Sequence, residues 1–279
     1  MITNGIRLRW IYGACYEIKL PGGTTIVTDP FILAPGLSDF HVDDITGADY
    51  ILCTHTHYDH TSDIGYLAKK FGGKVFIGEM SIGLLSEYFD MDYANLYPVG
   101  NGEVFELEDL TIQAFRAKHV GHPGHAFPSR AASDRFGLEG YGGCDQVGWL
   151  ELFDFVITTN NNFRFMIVTG IRVNQHIYTQ ARTLRPNMVI RQTLGMPDEY
   201  AGVMAPFGAQ VYLPNHHENI GKTSGMPTEQ YMEQTRRQLQ QLDPYAAFIS
   251  PEPYQWYDLS ISVTTAASNA ELCGKEAVI

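Results

Sequence analysis

The chain has 279 residues, of which 44% are hydrophobic and 18% are charged, and its formal net charge at pH 7 is −12. This composition is typical of a globular protein with a large buried core, and it excludes a disordered or membrane-spanning class. The acidic balance argues against nucleic acid as the principal partner, because binding to phosphates depends on clustered Lys and Arg.

The sequence also bears on location. No stretch approaches the ~20 apolar residues of a membrane helix, and residues 1–10 lack the basic leader and apolar core of a signal peptide. The four cysteines are widely spaced without a Cys-x-x-Cys pair, which predicts reduced thiols. We therefore expect a cytoplasmic protein that acts on a small-molecule substrate and has no membrane partner. Assembly into a homo-oligomer is compatible with the sequence.

Three strands are predicted near the start of the chain. Hydrophobic alternation at residues 6–10 favours a half-buried strand, and further strands are indicated at residues 16–20 and 24–28. The third strand ends at Asp29, which precedes a proline. Residues 31–47 show no periodicity, and we interpret them as a loop that could form one wall of a site.

Potential metal ligands cluster after the next predicted strand. The apolar run of residues 50–53 fits a strand buried on both faces, and it leads directly into His55, His57, Asp59 and His60. His55 and His57 are two residues apart, so their imidazoles point the same way if strand geometry persists. Ionisable groups packed this densely at a buried strand end are costly unless they bind something. The pattern predicts that the two imidazoles hold one metal ion and that the other two side chains are offered to a neighbouring ion.

The pattern His-x-His-x-Asp-His after an apolar strand resembles the signature of the metallo-β-lactamase fold superfamily. This resemblance implies a four-layer αββα sandwich, with residues 1–279 forming a single hydrolase domain. It also implies that Asp29 lies behind the metal site and orients its ligands. The alternative is that the Asp-Pro pair only turns the chain.

Strands and helices alternate after the cluster. Apolar spacing predicts a helix over residues 64–71 capped by Ser62, a strand over residues 74–77 and a helix over residues 82–89. Two more strands are predicted between residues 103 and 118. This alternation indicates α/β layering.

His119 is the predicted third imidazole of the metal site. In the resembled family a His ligand stands at the end of such a strand, and His119 follows the second strand of this pair. His122 and His125 are the alternatives, although they lie in a loop, which fixes geometry less well. Residues 121–143 are long enough to form a lid, whereas a disordered excursion is the other interpretation. A lid would bring His122, His125 and Arg130 to the substrate, where Arg130 could pair with a phosphate or carboxylate.

The sequence departs from the resembled pattern after the next pair of strands, which are predicted at residues 146–155 and 163–169. The family has an Asp that bridges two metals after the following Gly, but here the position holds Ile171, which cannot ligate. Asn174 or His176 could substitute for it. Without the bridge, a mononuclear or loosely dinuclear site is expected.

The last predicted ligand is His216, at the end of an apolar strand. Pro214-Asn215-His216 resembles the final motif of a subgroup similar to L-ascorbate-6-phosphate lactonase. His217 is the alternative ligand, or it contacts the substrate. A helix that stops at Asp243 and a strand over residues 246–250 follow.

Together these residues favour a hydrolase. The predicted metal ligands are His55, His57, Asp59, His60, His119 and His216. Such N and O ligands suit one or two zinc ions, and they also permit manganese or iron.

A metal held by neutral imidazoles makes hydroxide at neutral pH, and Asp59 is placed as the catalytic residue that orients this water and returns a proton to the leaving group. We predict hydrolysis of a small lactone or ester, with or without a phosphate. The alternatives are a phosphodiesterase or nuclease of the same fold, and a non-catalytic relative with an incomplete site.

Overall fold

A computed structural model of the chain describes residues 2–33, 35–37, 39–119, 138–170 and 175–261. The strands within these ranges are β1 (Ile2–Tyr12), β2 (Cys15–Lys19), β3 (Thr25–Thr28), β4 (Tyr50–Leu52), β5 (Lys74–Gly78), β6 (Leu96–Val99), β7 (Val104–Glu106), β8 (Leu110–Ala117), β9 (Leu152–Thr159), β10 (Arg164–Val168), β11 (Met188–Gln192), β12 (Val211–Asn215), β13 (Ala247–Phe248) and β14 (Tyr257–Ile261). The α-helices are α1 (Tyr58–Thr61), α2 (Ile64–Phe71), α3 (Ile82–Phe89), α4 (Gly142–Gly148), α5 (Gln175–Leu184), α6 (Pro197–Met204), α7 (Ile220–Ser224) and α8 (Thr228–Leu242).

The strands form two sheets of seven strands each. The first sheet has the order β14-β1-β2-β3-β4-β5-β6, and the second has the order β13-β12-β11-β10-β9-β8-β7. Strands β3 to β6 of the first sheet and β10 to β13 of the second run parallel, whereas the remaining neighbours are antiparallel. Each sheet therefore has a parallel half whose strands end at one common edge.

Apolar side chains from both sheets fill the space between them. Trp10, Tyr16 and Phe76 of the first sheet belong to the same buried cluster as Phe155 and Ile190 of the second. A second cluster lies between the first sheet and helices α2 and α3, and a third lies between the second sheet and helices α5, α6 and α8. The layers are thus helix, sheet, sheet and helix, which confirms the predicted αββα sandwich. Within the described ranges, no helix is long and apolar enough to cross a membrane.

Most predicted elements occur where the sequence indicates them, but three assignments need correction. Helix α2 has Asp63 as its N-cap residue instead of Ser62. Residues 142–148 form α4, so the strand predicted from residue 146 begins only at Leu152. Strand β13 covers only two of the five residues predicted. The elements β6, α5, β11, α6, α7 and β14 lie in stretches for which no helix or strand was predicted.

Helix α4 forms because of its contacts and not because of its composition. Its sequence begins with two glycines, which disfavour a helix interior. The Cys144 carbonyl accepts a hydrogen bond from Thr56 Oγ1 at 2.7 Å, and the Asp145 carboxylate accepts one from the Tyr58 amide at 3.1 Å. These bonds hold α4 against the segment that follows β4.

An ionisable pair, Asp154 and Arg191, lies buried on the outer face of the second sheet. The Asp154 carboxylate accepts hydrogen bonds from the amides of Thr169 and Gly170, at 3.0 and 3.4 Å. Burial raises the pKa of Asp154 to about 6, although Arg191 acts in the opposite direction. The carboxylate thus fixes the chain just after β10.

Asp154→Asn should change how stability depends on pH. The folded pKa of about 6 lies above the ordinary value of 3.8, so the folded protein binds a proton between these pH values while the unfolded chain does not. The parent therefore loses stability as the pH rises through this window, and the variant does not. We expect the difference in unfolding free energy, Asp154→Asn minus parent, to increase by about 2 kcal/mol between pH 4.5 and 7.5. Urea unfolding at the two pH values measures it, and a constant difference would contradict the assignment.

Candidate functional site

Two clusters of potential metal ligands meet at one edge of the sandwich. The first contains His55, His57 and His119, and the second contains Asp59, His60 and His216. In each cluster, one ligand atom per residue lies within 4.8 Å of the others. The structure therefore brings together all six residues that the sequence assigns to metal binding, in two groups that are each capable of holding an ion.

The first cluster combines the segment after β4 with the end of β8. His55 Nε2 lies 3.1 Å from His57 Nδ1, and the His119 ring is 5.1 and 4.6 Å from the rings of His55 and His57. Burial lowers the pKa of His55 well below its usual value of 6.5 and that of His57 to about 3. Both rings are therefore neutral at physiological pH, as a metal ligand must be.

The second cluster combines α1 with the residue after β12. His60 Nε2 lies 3.1 Å from His216 Nε2 and 4.0 Å from Asp59 Oδ1. Burial acts to raise the pKa of Asp59, but His60, His216 and His57 lower it below its ordinary value. Asp59 is thus ionised at neutral pH and can accept a proton or contact a cation.

Asp29 lies directly behind these clusters and is completely buried. Its Oδ1 accepts a hydrogen bond from the Thr54 amide at 2.7 Å, and its Oδ2 is 3.2 Å from His60 Nδ1. Thr54 Oγ1 in turn lies 3.0 Å from His55 Nδ1. The Asp29 carboxylate therefore fixes the orientation of the His60 ring, so that its Nε2 faces the second cluster.

His216 reaches the site from an unusual backbone conformation. Its φ of 52° lies in the left-handed region, which is costly for a residue other than glycine and is often associated with function. The His216 amide donates to the Gly13 carbonyl at 3.0 Å, and its own carbonyl accepts from Thr193 Oγ1 at 3.0 Å. These bonds tie the end of β12 to the turn between β1 and β2 and to the residue that follows β11.

Helix α4 supplies a wall that the sequence did not predict. The Trp149 ring lies 4.6 Å from the ring of His57 and 4.4 Å from that of His119. Gly148 leaves no room for a side chain, because a Cβ there would lie 2.6 Å from His57 Cδ2. A Gly-Trp pair after a polar loop is too common a pattern to mark a site from sequence alone.

Both clusters open into one cavity of about 580 Å³. The described residues that line it are His55, His57, Tyr58, Asp59, His60, His119, Trp149, Gln192, Thr193, Leu194, Gly195, His216, Glu218, Ile220 and Thr223. No Lys or Arg is among these described residues. The cavity therefore combines ligand groups with an apolar wall, uncharged polar groups and the carboxylate of Glu218.

Several other predicted site residues lie elsewhere. His217 does not line this cavity, but packs against Trp10 with ring centroids 4.0 Å apart. His176 is exposed on α5 beside Phe115, and the described part of the loop 31–47 contributes no lining residue. The remaining predicted residues, His122, His125, Arg130, Ile171 and Asn174, lie outside the described residues.

A second cavity of about 620 Å³ lies on the other side of the turn that follows β12. Trp10, His217 and the start of α8 contribute to its lining. Glu218 lines both cavities, so its side chain forms part of the wall between them.

Part of the chain is similar in sequence to known proteins. Residues 24–141 match the Beta-lactamase superfamily domain. A UPF0173 metal-dependent hydrolase of Thermoplasma volcanium is 31% identical over 114 residues, which cover 41% of this chain and 48% of that protein. The chain thus spans about half the length of the curated relatives that it matches.

Solved structures resemble the chain over nearly its whole length. Igni18, a metallo hydrolase from Ignicoccus hospitalis, is similar with a TM-score of 0.66 and 14% identity. The match covers 92% of this chain and 99% of that chain. A possible metal-dependent hydrolase from Veillonella parvula has a TM-score of 0.62 at 14% identity, covering 93% of this chain and 100% of that chain. The chain therefore has the metallo-β-lactamase fold.

Proposed function

We propose that this protein of the metallo-β-lactamase fold is a metal-dependent hydrolase of small lactones or esters. The observation that carries the proposal is the pair of ligand clusters that share one cavity. The donor set fits zinc, because three imidazoles face one another in the first cluster and two imidazoles face a carboxylate in the second. Manganese and iron would fit the same N and O donors.

A bound divalent ion would act as a Lewis acid and lower the pKa of a coordinated water towards ~7. His55, His57 and His119 would hold this ion in the first cluster. Asp59 would accept the proton of the attacking water and deliver it to the leaving group, since its lowered pKa leaves it ionised at neutral pH. His60 and His216 would complete a second position.

The walls of the cavity support an uncharged acyl substrate. Trp149, Leu194 and Ile220 provide apolar surface, whereas Gln192 and Thr193 provide uncharged polar groups. A phosphodiester or nucleic acid would call for cations beside the metal, and the lining residues that the structure describes include none. A lactone or ester needs only burial of its carbon frame and polarisation of its carbonyl.

A substrate panel tests the proposal. The zinc- or manganese-loaded protein is assayed with a neutral γ-lactone, p-nitrophenyl acetate, a phosphorylated sugar lactone and bis(p-nitrophenyl) phosphate. We expect turnover of the lactone and the ester, and its loss with a chelator or in Asp59→Asn, because both remove groups needed to activate the water.

Two outcomes would contradict this proposal. Turnover of the phosphodiester with every lactone and ester inert would favour a phosphodiesterase. Full metal loading without turnover of any substrate would favour a non-catalytic relative.

A further inference from the structure

The imidazole of His216 lies between a carboxylate and the second ligand cluster. Its Nε2 faces His60 Nε2 at 3.1 Å, whereas its Nδ1 faces Glu218 Oε1 at 3.7 Å. The left-handed backbone at His216 starts the short 3-10 turn His217–Asn219, which folds Glu218 back beside the ring. One nitrogen is therefore directed to the cluster and the other to Glu218.

Both side chains of this pair are largely buried. The Glu218 side chain is 12% exposed and the His216 side chain 17% exposed, so water screens the pair little. A carboxylate that faces Nδ1 favours the tautomer of His216 that carries its proton on this nitrogen.

The two clusters differ in what stands behind their imidazoles. In the second cluster, Asp29 lies 3.2 Å from His60 Nδ1 and Glu218 lies 3.7 Å from His216 Nδ1. In the first cluster, the corresponding atom of His55 contacts the uncharged hydroxyl of Thr54 at 3.0 Å. A carboxylate behind an imidazole fixes its ring and makes it a more basic ligand.

We propose that Glu218 is a positioning residue that keeps the proton of His216 on Nδ1 and so turns the Nε2 lone pair towards a metal ion in the second cluster. This inference rests on the proposed function, because it assumes that the cluster of Asp59, His60 and His216 holds an ion. It goes further in assigning to Glu218, which is not itself a ligand, selective control of that ion.

Zinc titration in competition with a chromophoric chelator tests the inference. The His60→Ala variant first identifies which binding step belongs to the second cluster. We expect that this step weakens about 10- to 100-fold in Glu218→Ala, as is typical when a group behind a ligand is removed. Glu218→Gln should weaken it less, because its amide oxygen still accepts a hydrogen bond. The first step should remain unchanged in both variants.

Glu229→Gln is the matched control. Glu229 also lines the second cavity, but it lies exposed at the start of α8 and makes no contact with the ligand clusters among the described residues. The zinc affinities of both binding steps in Glu229→Gln should equal those of the parent. Thermal unfolding of the metal-free variants separates a local effect from a folding defect, and Glu218→Asp, which keeps the charge, provides a second folded variant if Glu218→Ala does not fold. Glu218→Asp should bind the second ion more tightly than Glu218→Gln.

The outcomes distinguish this inference from the proposed function. A parent that binds no zinc contradicts the proposed function itself. A parent that binds zinc only at the first cluster, or a second step that changes less than twofold in folded Glu218 variants, overturns the role of Glu218 alone. Equal weakening of both steps would show a general structural effect and would also overturn it.

Discussion

His57→Ala should lose both the metal of the first cluster and the hydrolytic activity. His57 lies between His55 and His119, and removing its ring leaves two imidazoles, which are too few to hold an ion tightly. We expect the loss in metal affinity to exceed the ~100-fold that is typical for a group behind a ligand. Elemental analysis after dialysis, together with turnover of p-nitrophenyl acetate, measures the effect.

His176→Ala serves as the control for this variant. It removes an imidazole from the exposed surface of α5, so metal content and turnover should match those of the parent. If His57→Ala keeps its zinc after dialysis, the first cluster is not the principal metal site.

Gly148→Ala should disturb the same cluster without touching a ligand. A Cβ at this position would lie 2.6 Å from His57 Cδ2 and 2.7 Å from the His57 amide nitrogen, so the backbone of His57 must shift. Overpacking of this kind costs about 1–3 kcal/mol of stability. Alanine is the better helix former, so helix propensity acts in the opposite direction and any loss comes from the steric contact. We expect weaker zinc binding in the first step of the titration and a lower melting temperature.

Gly143→Ala makes the same chemical change in the same helix. Its nearest neighbour would be Leu84 Cδ2 at 3.8 Å, an ordinary van der Waals distance. This variant should bind zinc like the parent and be at least as stable. Similar behaviour of the two variants would show that the close approach of Gly148 to His57 does not matter for the site.

The sequence was most informative where ligands follow strands directly. His55, His57, Asp59 and His60 are contiguous, so their proximity needs no knowledge of the tertiary fold. His119 and His216 are distant in sequence, and they could be added only because a His at a strand end matched a known pattern. The α/β layering could be predicted because strands and amphipathic helices alternate with clear periods, whereas the four-layer sandwich was implied by the family resemblance.

The sequence was least informative where tertiary contacts override local preference. Residues 146–148 looked like the start of a strand, but they continue α4, in which Cys144 and Asp145 accept hydrogen bonds from Thr56 and Tyr58. The role of Trp149 depends on that helix, so it could not be predicted either. Glu218 has no pattern of its own, because its position beside His216 results from a backbone turn that only the structure reveals.

Each ligand cluster draws on both sheets. His55 and His57 follow β4 of the first sheet, whereas His119 follows β8 of the second. In the other cluster, His60 belongs to the first half of the chain and His216 follows β12 of the second sheet. An ion bound at either position would therefore act as a cross-link between the two halves of the sandwich.

Such an ion would serve both the proposed hydrolysis and the stability of the folded chain. An ion present at 100 times its dissociation constant would stabilise the folded chain by about 2.7 kcal/mol, and it would do so at the edge where the halves meet. Removing the ion would then weaken the contact between the two sheets at this edge, and we expect an added protease to cleave the metal-free protein faster than the metal-bound protein.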